Sequence, residues 1–273
     1  MTPEQILEVK KQAISKASKS VIGLKVFPTL KLDPGKQGYK SPLDTGMVDA
    51  TLIGPAGEFF DDEETRTWIE TNIQKIGKGI SITREDKLAD STAMTRKARR
   101  AGKKIAEKVD DMIFNGGTSP LIYGAISGAG NTYGGSAWSQ APATPNTIYA
   151  DTLNADDKLV EDYFEGGRRL ITSRVQWKEI RVENVQAGKA GAPYLNDLDS
   201  LLGKGNTVMS HTVPDGTAML VEPGVDNFLT VIAEDLTEDG PYPKDNQTER
   251  ILLFMRCVPH RHDSESLCSI TGI

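Results

Sequence analysis

Residues 77–116 read GKGISITREDKLADSTAMTRKARRAGKKIAEKVDDMIFNG, and a change of rhythm inside this stretch decides the fold. Up to Thr83 the chain is rich in Ile, Ser and Thr and broken by Gly77 and Gly79, the pattern of an extended segment. Beyond it, Ala98, Ala101, Ile105, Val109 and Met112 recur at three- and four-residue steps, the period of an amphipathic helix. Gly116 and Gly117 supply the stop. The spacing predicts one helix from about Glu85 to Asn115, roughly 45 Å long at 1.5 Å per residue. That exceeds the usual globular helix more than twofold. Such a helix spans a domain and acts as a strut.

On the N-terminal side, Thr2, Pro3 and Gln5 form a helix-start signature: a cap hydroxyl, Pro at the first position and Gln three residues after the cap. The helix runs to about Ser20 with a narrow apolar stripe (Ile6, Val9, Ala13, Ile14), so it must lie on its own domain or on a neighbour. VIGLKVF (21–27) and DATLIG (49–54) read as short strands separated by Pro- and Gly-rich turns. An acidic stretch, Glu58 with Asp61, Asp62, Glu63 and Glu64, encloses Phe59 and Phe60. TRTWIETNIQKIGKGISI (65–82) is extended, so 45–82 reads as a long two-stranded arm. An isolated hairpin of this kind is marginal in water and needs a partner surface.

On the C-terminal side, 116–150 is dominated by Gly, Ser, Thr, Asn and Pro and reads as loop with short extended pieces. An amphipathic helix is expected at about Ala155–Thr172, a strand at WKEIRVENV (177–185), and a short helix at NDLDSLLGK (196–204) closed by Gly203. NTVMSHTVP, TAMLVEP and Asp226–Leu236 read as extended. ERILLFMRCVPHRH (249–262) and ESLCSITGI (265–273) read as two long, buried strands. The class is mixed α+β with strands concentrated at the end.

The 273 residues suffice for one large domain or two modest ones, and 38% hydrophobic with 26% charged residues is a globular balance. A net charge of −6 argues against a surface that grips nucleic acid everywhere. No run of about 18 apolar residues is present to cross a bilayer, and MTPEQILEVKKQ lacks the apolar core of a signal peptide. Cys257 and Cys268 are too few for a disulfide framework and read as reduced thiols, with a late bridge within or between subunits as the alternative.

Enzymatic signals are weak. HExxH, GxSxG, GxxxxGK[ST] and a GxGxxG opening a helix after a strand do not occur. His260 and His262 share one strand face at a spacing a metal accepts, but only Cys257, Asp263 or Glu265 lies near as a third ligand. Cys257 sits in LLFMRCV, where a small buried thiol is ordinary. Adjacent carboxylates such as Asp61/Asp62 and Asp110/Asp111 are not spaced across a cleft. No catalytic, cofactor-binding or metal-ligating residue is assigned. The strongest charged feature is the cluster Arg96, Lys97, Arg99, Arg100, Lys103, Lys104 and Lys108 on the long helix. It reads either as a phosphate-facing stripe or as an exposed face paired with acidic partners such as Glu58–Glu64 of a neighbour.

A strut helix, a long two-stranded arm, an N-terminal arm and a strand-rich end do not share a single globular core. Together they resemble the major capsid proteins of tailed double-stranded DNA viruses and their encapsulin relatives. Three stretches carry the likeness: residues 77–116; IYGAISGAG (122–130), similar to the loop entering the apical domain of that family; and GTAMLVEPGVDNFLTVIAEDLTEDGPYP with ERILLFMRCVPHRHDSESLCSITGI, similar to its closing strands. The resemblance implies a phage major capsid fold: an N-terminal arm (1–20), peripheral-domain strands (21–44), an extended loop (45–78), a spine helix (79–117), an apical domain (118–250) and closing peripheral strands (251–273).

It further implies a structural protein, not an enzyme, that self-assembles through pentamers and hexamers into an icosahedral shell around double-stranded DNA. The alternative within the family is an encapsulin shell enclosing a cargo enzyme, with an inward groove partly formed by the N-terminal helix. Rival classes are a soluble α+β enzyme without a motif and a tail or sheath component. Phe59, Phe60, Trp68, Ile69 and Ile73 are then expected at intersubunit contacts, the alternative for Trp68, Ile69 and Ile73 being the subunit's own core. Arg96, Arg99, Arg100, Lys103 and Lys104 are expected to face packaged DNA. No cofactor and no membrane are expected; scaffold, portal or cement proteins are candidate partners, and the virion capsid, assembled in the host cytoplasm, is the expected location. Removal of 55–75 is expected to leave a folded subunit that does not assemble.

Overall fold

The computed structural model describes residues 8, 11–17, 21–45, 65–83, 85, 92–118, 121–138, 147–186, 193–245 and 248–273. Two sheets and a long helix organise them. The four-stranded sheet has the order β1-β11-β12-β4, from Thr29–Lys31, Phe228–Asp245, Thr248–Arg261 and Gln74–Thr83. The five-stranded sheet has the order β7-β13-β10-β8-β9, from Asn131–Gly134, Leu267–Thr271, Thr217–Val221, Arg169–Thr172 and Thr207–Met209. Two small pairs complete the set: β2 (Gly38–Thr45) with β3 (Thr65–Asn72), and β5 (Gly117–Thr118) with β6 (Leu121–Ile122).

The strut helix is α3, Ala93–Asn115, about 35 Å long at the usual rise. It is shorter than the 85–115 expected: extended chain persists to Thr83, Glu85 is helical, and 86–91 lie outside the described residues. Its apolar stripe is the one the spacing predicts, with Ala98, Ala101, Ile105, Val109 and Met112 all buried. The helix ends as expected at Gly116, whose φ of +74° suits glycine. A Cβ there would also lie 2.1 Å from the Ile122 carbonyl oxygen.

The main core joins this helix to the four-stranded sheet through Val231, Ile251, Leu253 and Cys257, and to one face of the five-stranded sheet through Ile171, Met219, Val221 and Leu267. The other face of that sheet, with Leu170, Ala218, Leu220 and Ile270, packs on α4 (Thr147–Glu161), α5 (Arg174–Gln186) and α6 (Pro193–Leu202) through Leu159, Ile180 and Leu198. Successive residues of β10 therefore feed two cores, which is why TAMLV is apolar at nearly every position.

Helix α1, residues 11–17, lies on the spine helix of its own chain, with Ala13 and Ala17 buried in the main core. The approach is set at Gly102, where a Cβ would stand 2.5 Å from the Ala13 carbonyl oxygen. Thr2, Pro3, Gln5, Ile6 and Val9 lie outside the described residues, as does DATLIG.

Three local expectations are corrected. VIGLKVF is not a strand: Gly23–Val26 form one helical turn, α2. Asp110 of the spine helix accepts the amides of Ile22 at 3.0 Å and Gly23 at 2.8 Å, so a carboxylate far along the sequence caps the turn. WKEIRVENV is not a strand but the body of α5. Ser173 Oγ accepts the amides of Val175 and Gln176, and the Ser173 hydroxyl donates to the Gln176 side chain. The helix expected at 155–172 instead spans Thr147–Glu161, and 169–172 form β8, an inner strand between β10 and β9. Sheet membership also cuts across a boundary at 250. β11 and β12 pair with each other along nearly their whole length, whereas β13 lies inside the five-stranded sheet.

Candidate functional site: a hairpin arm and a basic cleft

β2 and β3 pair antiparallel from Gly38↔Asn72 to Thr45↔Thr65. At the base, the Ile73 amide donates to the Gln37 carbonyl at 2.8 Å. Alternation gives this ribbon two faces. One carries the Lys40–Glu70 pair at 3.0 Å and Trp68 opposite Pro42; Trp68 is 61% exposed. The other carries Tyr39, Ser41, Ile69 and Thr71. Of the residues expected at intersubunit contacts, Trp68 thus stands in solvent and Ile69 is half-buried. Ile73 packs against the subunit's own core. Phe59 and Phe60 lie outside the described residues.

One buried imidazole pins the ribbon to the body. His260 on β12 is 1% exposed, with Nε2 2.7 Å from Ser41 Oγ and Nδ1 2.8 Å from Thr71 Oγ1. It therefore touches both strands of the ribbon. Tyr39 meets its ring edge-on at 4.8 Å, and His262 Nδ1 is 3.2 Å from Ser41 Oγ. Burial, aided by the His262 charge, pushes the His260 pKa down to about 4. The Ser–His contact is that of a structural pin. Both ring nitrogens are taken by hydroxyls, among the described residues no carboxylate bonds the ring, and a base this weak does not activate a serine near neutrality.

The cations of the spine helix do not form one uniform stripe. Arg99 donates from Nε to Gln12 at 2.8 Å, on the side of α1. Lys103 and Lys104 lie 3.5 and 2.7 Å from Glu107, and the Lys104 hydrogen bond holds that carboxyl below its usual range. Lys97, Arg100 and Lys104 line a cleft between the helix and β4, with Lys78 on its opposite wall. A second hollow on the other face of β4, where Arg250 of β12 lies over Gly79, shares Lys78 and Ser81 with this cleft. The floor of the cleft is Ile80 and Ala101, both buried, and none of its lining residues is acidic. The helix part of this arrangement was legible in the sequence. Lys78 joins it only because β4 lies beside the helix, a neighbour relation that no local window of sequence contains.

Cys257 and Cys268 are free and buried, one in each sheet, and burial pushes both thiols up to about 12. Thiols held in that state are poor nucleophiles. Among the described residues no cluster of three His, Cys, Asp or Glu side chains is arranged to hold a metal ion, and no helix is long and apolar enough to cross a membrane.

Comparison with known proteins agrees with this architecture. The sequence profile of the family described as encapsulating protein for peroxidase (Linocin_M18) matches residues 81–255. No curated protein sequence matches the chain. Among solved structures, a virus-like particle from Pyrococcus furiosus superposes with a TM-score of 0.73 at 13% identity, over 96% of this chain and 98% of that one. A structure from Mycobacterium phage Ogopogo gives 0.69 at 12% identity, over 92% of each chain. The capsid of a native GTA particle gives 0.67 at 12% identity, over 95% of this chain and 90% of that one. Spine helix, hairpin arm, paired sheets and profile converge: the fold is the phage-type capsid fold, and the chain belongs to the family of encapsulating proteins for peroxidase.

Proposed function

We propose that this chain is the repeating subunit of a closed icosahedral shell enclosing double-stranded DNA. The observation that carries the reading is the β2–β3 ribbon, held at its base by His260 while Trp68 is left in solvent. An aromatic exposed on a slender ribbon is stabilised by a second surface, and repeated modest contacts between copies multiply into a shell. In this reading residues 1–20 are the N-terminal arm and the ribbon with its tip is the extended loop. The spine helix with the four-stranded sheet is the peripheral domain, and the five-stranded sheet with α4–α6 is the apical domain. Phe59, Phe60, Trp68 and Ile69 contact neighbours, in pentamers and hexamers. Arg96, Arg99, Arg100, Lys103 and Lys104 of the spine helix meet packaged phosphates without reading sequence. Assembly is in a host cytoplasm, with scaffold, portal or cement proteins as further partners.

The family match favours a second reading, a compartment enclosing an enzyme. Negative-stain electron microscopy of the purified chain, followed by analysis of nuclease-protected contents, tests both. Uniform hollow particles support the shell, nuclease-protected DNA supports the viral reading, and a co-purifying enzyme supports the compartment. A chain that stays monomeric or dimeric across salt and pH, with its expected scaffold present, overturns both.

A further inference from the structure

We propose that a cavity beside α5 binds a small aromatic polyanion of the nucleoside phosphate class, with its phosphates on Arg174, Lys178 and Arg181 and its ring against Trp177. The cavity has a volume of about 570 Å³, the size of a small-molecule site and not of a broad, flat interface. One wall is the helix itself. Arg174, Lys178 and Arg181 stand at i, i+4 and i+7, so they share one face of α5 over about 10 Å of its length. All three are exposed, and among the described residues none of their side chains has a hydrogen bond or an ion pair. Like charges at this spacing repel. An anion carrying more than one charge relieves the repulsion along the whole row. Asp215 is the single acid of the lining, so the cavity keeps an excess of positive charge in a chain whose net charge is −6.

The rest of the lining suits a planar ring. Trp177 packs partly on the core between the helices and the five-stranded sheet and partly lines the cavity, so its indole is held in place before a ligand arrives. Val175, 40% exposed, and Met209 continue the apolar surface. An indole and a thioether are favourable neighbours for an aromatic ring. Asp215 supplies an acceptor for the hydroxyls or the ring amino group of a nucleoside. The far wall is fastened to the helix. Asp215 lies in the turn before β10, and the next amide, that of Gly216, donates to Gln176 Oε1 at 3.2 Å. Gln176 is buried, and its Nε2 donates to the Ile273 carbonyl at 3.0 Å. Met209 ends the edge strand β9, in register with Thr172 just before α5. Cations, indole and acid are thus carried on one preformed frame. A single-stranded nucleic acid needs a row of aromatic platforms, and among the described residues this lining offers Trp177 alone.

Isothermal titration of ADP into the purified full chain tests this, alongside pyrophosphate, adenosine and a short oligothymidylate. Saturable binding of one ADP per chain is expected, with adenosine and pyrophosphate each at least about tenfold weaker because each supplies one half of the ligand. Lys178→Glu with Arg181→Glu should weaken ADP more than about tenfold while the circular dichroism spectrum is unchanged. If that variant is misfolded, photocrosslinking of wild type with 8-azido-ADP replaces it: labelled peptides within 174–181 or 209–215 support the site, and labelling elsewhere overturns it. ADP that does not bind, or that binds the charge-reversed chain as tightly as wild type, overturns the proposal. Pyrophosphate bound as tightly as ADP reduces the cavity to a bare cation patch and overturns it. Preference for oligothymidylate assigns the surface to single-stranded nucleic acid and overturns it too. The titration reads assembled and dispersed chains alike, so its failure leaves the shell reading standing, and failure of the shell reading leaves this site testable.

Discussion

Asp110 Oδ1 accepts the amide proton of Gly23 at 2.8 Å, tying the C-terminal part of the spine helix to a turn 87 residues earlier. Its other oxygen takes the Ile22 amide at 3.0 Å. Burial pushes the carboxyl up to about 6, against the pull of these two amides. An acid whose folded pKa is raised keeps its proton longer in the native state, so its contribution to stability falls as pH rises from about 4 to 6. Asp110→Ala leaves two amides without their acceptor, at a cost of about 1–3 kcal/mol. Urea unfolding at pH 7 measures it, and a loss within error would show that water replaces the carboxylate.

His260 acts with the opposite sign. Its folded pKa of about 4 lies below the ordinary 6.5, so the unfolded chain binds the proton first as pH falls. Its contribution is complete above pH 6.5 and is lost towards pH 4, by about 3 kcal/mol at 1.36 kcal/mol per unit. The stability difference between wild type and His260→Gln should therefore shrink over that window, in which Asp110 is common to both. A pH-independent difference would remove the imidazole's titration from the account.

Arg168 is the buried ionic hub of the five-stranded half. It bonds Asp156 Oδ1 at 2.5 Å, Glu222, and the carbonyls of Phe164 and Gly166, while only 6% exposed. Arg168→Ala strands two carboxylates, and a loss of about 3–5 kcal/mol is expected. Thermal unfolding in low and high salt checks it; because the group is buried, salt should change the cost little.

A deletion of 55–75 does more than remove the arm, because Ile73 is part of the core and Gln74 and Lys75 begin β4. Replacing 46–64 with a short glycine-containing turn between Thr45 and Thr65 spares both. That variant should keep its unfolding midpoint and lose particles by electron microscopy. Trp68→Ala should do the same in weaker form, and closed shells at wild-type yield would exclude the ribbon from assembly.

Much of this architecture was legible from periodicity. The spine helix stripe, the Gly203 stop and the long strand at 249–262 follow from spacing alone, and the structure places them where the sequence does, whereas the long strand expected at 265–273 is the five residues of β13. The failures share a cause. VIGLKVF is apolar and branched like a strand, but Asp110 caps it from across the chain, a contact that no local window contains. α5 looked like a strand because Val175, Ile180 and Val182 outweighed its start signal. That signal is Ser173 followed by Gln176 at the third position, a capping pair. Most of the basic cleft is visible as helix cations; Lys78 enters only because β4 packs beside the helix, which one sequence does not specify.

β12 carries the pin of the ribbon near one end and is paired along most of its length to both neighbours. The attitude of the ribbon, and with it the place in space where Trp68 stands, is inherited from the coil of a single strand. A change in twist at the register shifts between β11 and β12, from Ile232 to Thr237, would swing the arm like a lever without altering one residue in it.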